Sequence, residues 1–238
     1  MTTSTTYQER RGQIETYFDR TAVQAWARLT SDAPVGRIRA TVRAGRDRMR
    51  DTLLSWLPQD MTGMRLLDAG CGTGALSVVA ARRGAHVLAI DLSPTLVALA
   101  AERLPQDLLT GQGAGRIDFR SGDMLDPALG TFDYVVGMDS LIHYQAPDAV
   151  RVLSGLAERT RCAILFTYAP SNPALQAMHA VGKLFPRGDR APSIVPVARP
   201  RIDALMSRDT VLKSWQAGRT ERIASGFYTS QALELVAA

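Results

Sequence analysis

The stretch LLDAGCGTGALSV, Leu66 to Val78, decides the fold, because the end of a strand, a turn and the start of a helix follow one another within it. Leu66 and Leu67 close an apolar run, and Asp68 stands where a buried parallel strand would surface. Gly70, Gly72 and Gly74 lack a Cβ, so the turn can be tight and a ligand can lie against the backbone. From Ala75 onward the pattern reads as a helix whose first amides point back into the turn. This predicts a nucleotide-like ligand at the carboxyl edge of a parallel sheet.

The spacing narrows the nucleotide. A dinucleotide fingerprint is G-x-G-x-x-G, whereas this turn is G-x-G-x-G with Asp68 two residues before it. An acidic group facing the turn repels a pyrophosphate and attracts the ammonium of an amino acid. The turn resembles the first motif of the class I S-adenosylmethionine (SAM) methyltransferases, D/E-x-G-x-G-x-G. Downstream segments extend the resemblance in order. Ala85 to Ile90 is a second apolar run ending at Asp91, placed for ribose hydroxyls, with Leu92 after it. Ile117 to Arg120 leads to Gly122-Asp123-Met124, similar to the family's adenine-edge loop. Phe132 to Gly137 is a fourth strand, with a loop from Met138 to Tyr144. The resemblance implies SAM as cofactor and S-adenosylhomocysteine (SAH) as product. It places cofactor contacts at Asp68, Gly70, Cys71, Gly72, Gly74, Asp91, Leu92, Asp123, Met124 and Met138. The competing reading is another α/β nucleotide binder, such as a dehydrogenase.

The expected fold is therefore α/β and Rossmann-like: a mostly parallel sheet of seven strands with an antiparallel C-terminal hairpin, N-terminal helices and an inserted cap. Four parts are expected. They are an N-terminal helical arm (1–62), a SAM-binding core (63–170), an inserted cap (171–200), and a C-terminal helix and hairpin completing the core (201–238).

Composition excludes several classes. No run approaches the eighteen or more apolar residues that cross a bilayer, and the N-terminus lacks an apolar signal-like segment. The two cysteines, Cys71 and Cys162, fall in separate elements, and no Cys or His cluster has metal-ligand spacing. The expectation is a cytoplasmic enzyme in a reducing compartment, with no disulfide and no protein-held metal. The net charge of +5 rests on arginines, since the only lysines are Lys183 and Lys213. These arginines are dispersed and lack interleaved aromatics, which disfavours a nucleic-acid partner. So does the strand-four loop, which has no Pro-Pro-aromatic sequence.

Outside the core, the first six residues read as frayed, and a helix is expected from Gln8 to Thr30 with Ile14, Phe18, Ala22, Ala25 and Leu29 on one face. A second helix is expected from Val35 to Trp56, with Ile38, Val42, Met49, Leu53 and Trp56 apolar and Gly45 allowing close packing. On it Arg39, Arg43, Arg46 and Arg50 form a basic stripe, the ordinary sign of a solvated face. After strand five (Arg161 to Tyr168), a cap helix is expected at Ala174 to Leu184, in a segment that six prolines from Pro170 to Pro200 keep from being one helix. Then follow a helix from Asp203 to Trp215 and strands at Arg219 to Phe227 and Tyr228 to Val236.

Several segments give a narrower resemblance, to the magnesium-protoporphyrin IX O-methyltransferases, which esterify a porphyrin propionate in chlorophyll and bacteriochlorophyll synthesis. These are Tyr17-Phe18 with Thr21 and Trp26, Val42 to Arg46, Asp51 to Leu57, Asp139 to Tyr144, and Lys183 to Pro186. Near Ala25 to Arg28 the chain is less basic than that family. The resemblance implies a magnesium porphyrin substrate, hand-over from the magnesium chelatase porphyrin-binding subunit, and peripheral contact with photosynthetic membranes.

The chemistry constrains the residues. A propionate has a pKa near that of Glu, about 4.3, so no general base is obligatory. The reaction joins an anion to a cationic methyl donor, so charge is lost in the transition state. An arginine on the reacting carboxylate would stabilise the ground state more than the transition state. Neutral donors, His143 and Tyr17, are the catalytic candidates. Arg43 and Arg46 suit the unreacted propionate, and Tyr144 is a further substrate contact. Asp139 either touches substrate or caps the helix starting near Ser140. Two alternatives stand beside this: methylation of another small molecule, such as a quinone precursor or aromatic hydroxyl, and a SAM-binding protein without turnover.

Overall fold

The structure is a computed structural model and describes residues 5–21, 36–110, 115–171 and 193–238. Helix α1 (Thr5–Thr16) leads into a π-helical turn (Tyr17–Thr21), and α2 (Arg37–Trp56) follows. The core then alternates: β1 (Arg65–Ala69), α3 (Ala75–Arg82), β2 (His86–Asp91), α4 (Pro94–Glu102), α5 (Gln106–Leu109), β3 (Arg116–Ser121), β4 (Phe132–Gly137), α6 (Ala146–Ala157) and β5 (Thr160–Tyr168). Helix α7 (Arg199–Met206) precedes β6 (Trp215–Ser225) and β7 (Tyr228–Ala237).

One sheet of seven strands runs β3-β2-β1-β4-β5-β7-β6. The first five pair in parallel, and β7 enters antiparallel between β5 and β6. Alternating side chains of β1 feed two cores. Leu67 packs with α6 and α1 on one face, and Leu66 with α2 and α3 on the other. Because both faces are covered, β1 is buried from Leu66 to Ala69 and does not alternate like a half-exposed strand. Strand order reverses between β1 and β4, which opens a crevice at their carboxyl ends.

Three expectations are corrected. Residues Thr5 and Thr6 are not frayed: α1 begins at Thr5, and the Thr6 hydroxyl donates to the Asp148 carboxylate at 3.0 Å. The first helix is also not continuous through Phe18, because its pitch widens at Tyr17–Thr21. That change of phase lets Asp19 accept from the Thr95 hydroxyl at 2.6 Å and the Ser93 hydroxyl at 3.2 Å, at the start of α4. The helix expected from Asp203 to Trp215 runs instead from Arg199 to Met206. Asp209 is the cause. Its Oδ1 accepts from the backbone N–H groups of Val211 and Leu212 and from the Ser154 hydroxyl, which starts a separate short turn. Strand β6 consequently begins at Trp215, four residues earlier than expected.

The remainder of the expected first helix, with Trp26, and the expected cap helix at 174–184 lie outside the described residues. The chain from Ser193 onward lies within them. Val195 N–H donates to the Ile142 carbonyl and Val197 N–H to the Ala169 carbonyl, each at 2.8 Å, so this segment follows the sheet's carboxyl edge.

Candidate active site

The glycine turn is held from both sides. Gly70, Gly72 and Gly74 all have positive φ, at +88°, +53° and +76°. A Cβ on Gly70 would sit 2.5 Å from the Ser140 Cβ, so only glycine lets the β1 and β4 loops meet. Gly74 begins α3, and a Cβ there would press on the Phe119 ring at 3.0 Å. Two carboxylates stabilise the turn. Asp68 accepts from the Ser77 hydroxyl at 2.6 Å, and Asp91 from the Gly72 N–H at 2.9 Å and the Ser93 N–H at 3.0 Å.

Burial raises the Asp68 carboxyl to about 6, and the nearby Asp91 charge pushes in the same direction against the Ser77 hydrogen bond. Asp91 is likewise raised by desolvation, against the amides it accepts from. The Cys71 thiol lies well above its ordinary value, for burial and for these two carboxylates, which leaves it un-nucleophilic. Two raised carboxylates beside an open crevice form a place where a cation is welcome and a phosphate is not. A zwitterionic amino acid bearing a sulfonium satisfies both, so these residues fit SAM.

The crevice widens into a cavity of about 830 Å³. Of the expected cofactor residues, Asp68, Gly70, Cys71, Gly72, Asp91, Leu92, Met124 and Met138 line it. Gly74 and Asp123 stand behind the wall. The Asp123 carboxylate accepts from the Tyr7 hydroxyl and from Arg11, each at 2.8 Å, and from the Leu125 N–H at 2.9 Å. Tyr7 is 2% exposed and stacks on Tyr144 at 5.3 Å. Burial raises both phenols. Nothing in the polar run Thr5-Thr6-Tyr7-Gln8 signals this role, which only the folded chain creates.

The substrate candidates line the same cavity. Tyr17 and His143 both reach the cavity. His143 is 8% exposed, its ring tilted against Phe18 at 5.9 Å between centroids. Its backbone carbonyl accepts from Arg10 at 2.8 Å, tying α1 to the β4 loop. Tyr144 lines the cavity from a buried position, with the Tyr7 ring against it.

The arginine stripe reaches the cavity. Arg39, Arg43, Arg46 and Arg50 all line it, Arg39 exposed and the other three half-buried. α2 lies across β6 and β7 with its apolar side inward, and Gly45 packs so tightly that a Cβ would meet the Tyr228 ring at 2.5 Å. Arg46 donates to Asp139 at 2.6 Å, with side chains 19% and 5% exposed. Asp139 caps no helix. It holds a left-handed backbone at φ +55°, its N–H donates to the Thr167 hydroxyl at 2.7 Å, and its carboxylate also accepts from Tyr228 and Ser230. Tyr228 and Ser230 were missed from sequence, although their spacing of two on a strand puts them on one face.

A parallel sheet with a glycine turn at its switch point, an acidic pair beside it and an apolar cavity beyond defines a class I SAM-dependent methyltransferase. The sequence profile of the family "Magnesium-protoporphyrin IX methyltransferase C-terminus" matches residues 137–237, and a general methyltransferase-domain profile matches 66–162. The magnesium-protoporphyrin O-methyltransferase of Rhodobacter capsulatus is 51% identical over 96% of this chain and 97% of its own length. The chain belongs to the magnesium-protoporphyrin O-methyltransferase family. The crystal structure of the magnesium protoporphyrin IX methyltransferase of Synechocystis with bound SAH superposes with a TM-score of 0.81 at 26% identity, covering 96% of this chain and all of that one. A ubiquinone biosynthesis O-methyltransferase of Xanthomonas oryzae is 35% identical, but over only 54% of this chain and 55% of its own. That kinship is partial, whereas the porphyrin enzymes match from end to end.

Proposed function

We infer that this protein transfers the methyl group of SAM to one propionate carboxylate of magnesium protoporphyrin IX, giving a monomethyl ester and SAH. The observation that carries the reading is the cavity itself: it joins an acidic cofactor crevice to an apolar wall and a row of arginines. A flat apolar ring system with two carboxylates on one edge matches that distribution. The magnesium arrives inside the porphyrin and is part of the substrate.

SAM supplies an electrophilic methyl on a cationic sulfonium. Asp68, Asp91, the glycine turn and Met138 hold it at the crevice. The remaining work falls to side chains that orient the acceptor and exclude water. His143 and Tyr17 donate neutral hydrogen bonds to the reacting carboxylate, aligning it without the charge neutralisation that would oppose reaction. The apolar wall strips water from the anion. Arg43 and Arg46, on one face of α2 at the cavity, take the second propionate, with Arg39 one turn before Arg43 on that face. Asp139 lines the cavity and, held by Arg46, Tyr228 and Ser230, also positions the β4 loop that carries His143.

Hand-over by the magnesium chelatase porphyrin-binding subunit and peripheral contact with a photosynthetic membrane belong to this reading through the family resemblance. Among the described residues, no helix is long and apolar enough to cross a membrane.

The test is a product assay with purified protein, SAM and magnesium protoporphyrin IX, read by chromatography and mass spectrometry. A gain of one methyl is expected, with magnesium-free porphyrin reacting poorly. SAM binding without porphyrin product, together with methylation of a phenolic quinone precursor, would overturn the substrate in favour of an aromatic hydroxyl.

A further inference from the structure

The tip of the C-terminal hairpin carries an aromatic ring that folding does not require. Ser225 pairs with Tyr228, leaving Gly226 and Phe227 as a two-residue turn. Gly226 supplies the positive φ, +56°, that such a turn needs at its first position. The second position ordinarily holds a small polar residue. Here it holds Phe227, 77% exposed, the most exposed large apolar side chain among the described residues.

The tip is also clamped. A Cβ on Gly226 would stand 2.4 Å from the Thr41 hydroxyl on α2, and the Tyr228 ring fills the space over Gly45. Phe227 therefore projects from a fixed base, and it lines the same cavity as His143 and Tyr17. Thr41, against which the turn rests, lies between Arg39 and Arg43, so the ring and the two guanidinium groups share the mouth. Ile194 adds a second exposed apolar side chain there.

We propose that Phe227 is a specificity residue for the porphyrin, offering its ring as a platform on which one face of the macrocycle stacks while the unreacted carboxylate lies at Arg43. This rests on the porphyrin reading above. The platform favours a wide flat acceptor over a single aromatic ring, because Phe227 and the reacting-centre residues His143 and Tyr17 line one cavity that such an acceptor can fill. It acts in binding and leaves the methyl-transfer step alone.

The experiment compares wild type, F227A and F227W in steady-state turnover with magnesium protoporphyrin IX, with SAM affinity measured separately by calorimetry. Loss of a stacking partner predicts a rise of about tenfold in the porphyrin KM for F227A. Its kcat and SAM affinity stay within about twofold of wild type, and F227W restores the KM. An unchanged KM in F227A, or a raised KM that F227W does not restore, overturns the proposal. Should F227A melt early, F227Q keeps the bulk without the aromatic face, and the same rise in KM is expected. Wild-type protein that makes no porphyrin ester overturns the functional reading instead, which separates the two failures.

Discussion

The cofactor side of the cavity and its substrate side are built differently. The first comes from one stretch, Asp68 to Met138, where the contacts lie at or within a few residues of the carboxyl ends of successive strands. The second is gathered from α1 and its π-helical turn, α2, the chain around Ile194 and Pro196, and the β6–β7 hairpin. It is held by bonds between distant residues, such as Arg46 to Asp139 and Tyr228 to Asp139, 93 and 89 positions apart. A contiguous, backbone-defined site can keep one cofactor while an assembled, side-chain-defined site is refitted to another acceptor. The partial identity to a ubiquinone-pathway enzyme and the end-to-end identity to porphyrin enzymes fit that division.

The sharpest break in the comparison is a change that disables one side and spares the other. The double variant Tyr17→Phe, His143→Ala should lower kcat with the porphyrin about a thousandfold, by loss of two positioned donors. SAM affinity, measured by calorimetry, should stay near wild type. Turnover near wild type would remove both residues from the chemistry. Next in size, Arg46→Met leaves the Asp139 carboxylate at 5% exposure without its cation. The expected cost is about 3 kcal/mol, with Tm falling by about 6 to 12 °C in thermal unfolding. An unchanged Tm would mean that Tyr228, Ser230 and Thr167 alone suffice to hold Asp139.

What could be read from sequence follows the same division. Gly70, Gly72, Gly74 and Asp91 were legible because local backbone geometry dictates their type and spacing. Four of the five parallel strands fell on apolar runs, and β3 on the alternating Ile117 to Arg120. The arginine stripe was legible as a pattern, but helical periodicity left open whether its face met solvent or substrate, because it says which residues share a face and not what that face meets. Tyr7 and Phe227 carried no local signal at all. One is defined by Asp123, far along the chain, and the other by a turn whose aromatic residue contradicts turn chemistry. The helix stop before Asp209 depended on Ser154 from another element.

The cofactor side can be sharpened by pH. Asp68 has a value of about 6 in the folded protein against 3.8 ordinarily, so between about pH 4 and 6 the folded state holds a proton that the unfolded chain has released. Stability of the SAM-free protein therefore falls as pH rises through that window and is level above it. SAM affinity moves the other way, rising as the carboxyl ionises and levelling above about pH 6. Asp68→Asn should remove both slopes, weaken SAM at pH 7 by about thirtyfold (about 2 kcal/mol), and make the free protein more stable there. A pH slope that survives in the variant would assign the titration to Asp91.

The smallest effect tests whether Asp123 belongs to the cofactor side or to the arm that crosses it. Tyr7→Phe deletes one donor to Asp123 while keeping the ring stacked on Tyr144, and Arg11 with the Leu125 amide still serves the carboxylate. Stability in urea should fall by about 1 kcal/mol. If Asp123 contacts the adenine, the released oxygen is available to it, and SAM affinity should hold or tighten slightly. If Asp123 serves only to dock α1, SAM affinity should weaken in step with the loss of stability, because the cofactor then depends on the arm and not on the carboxylate.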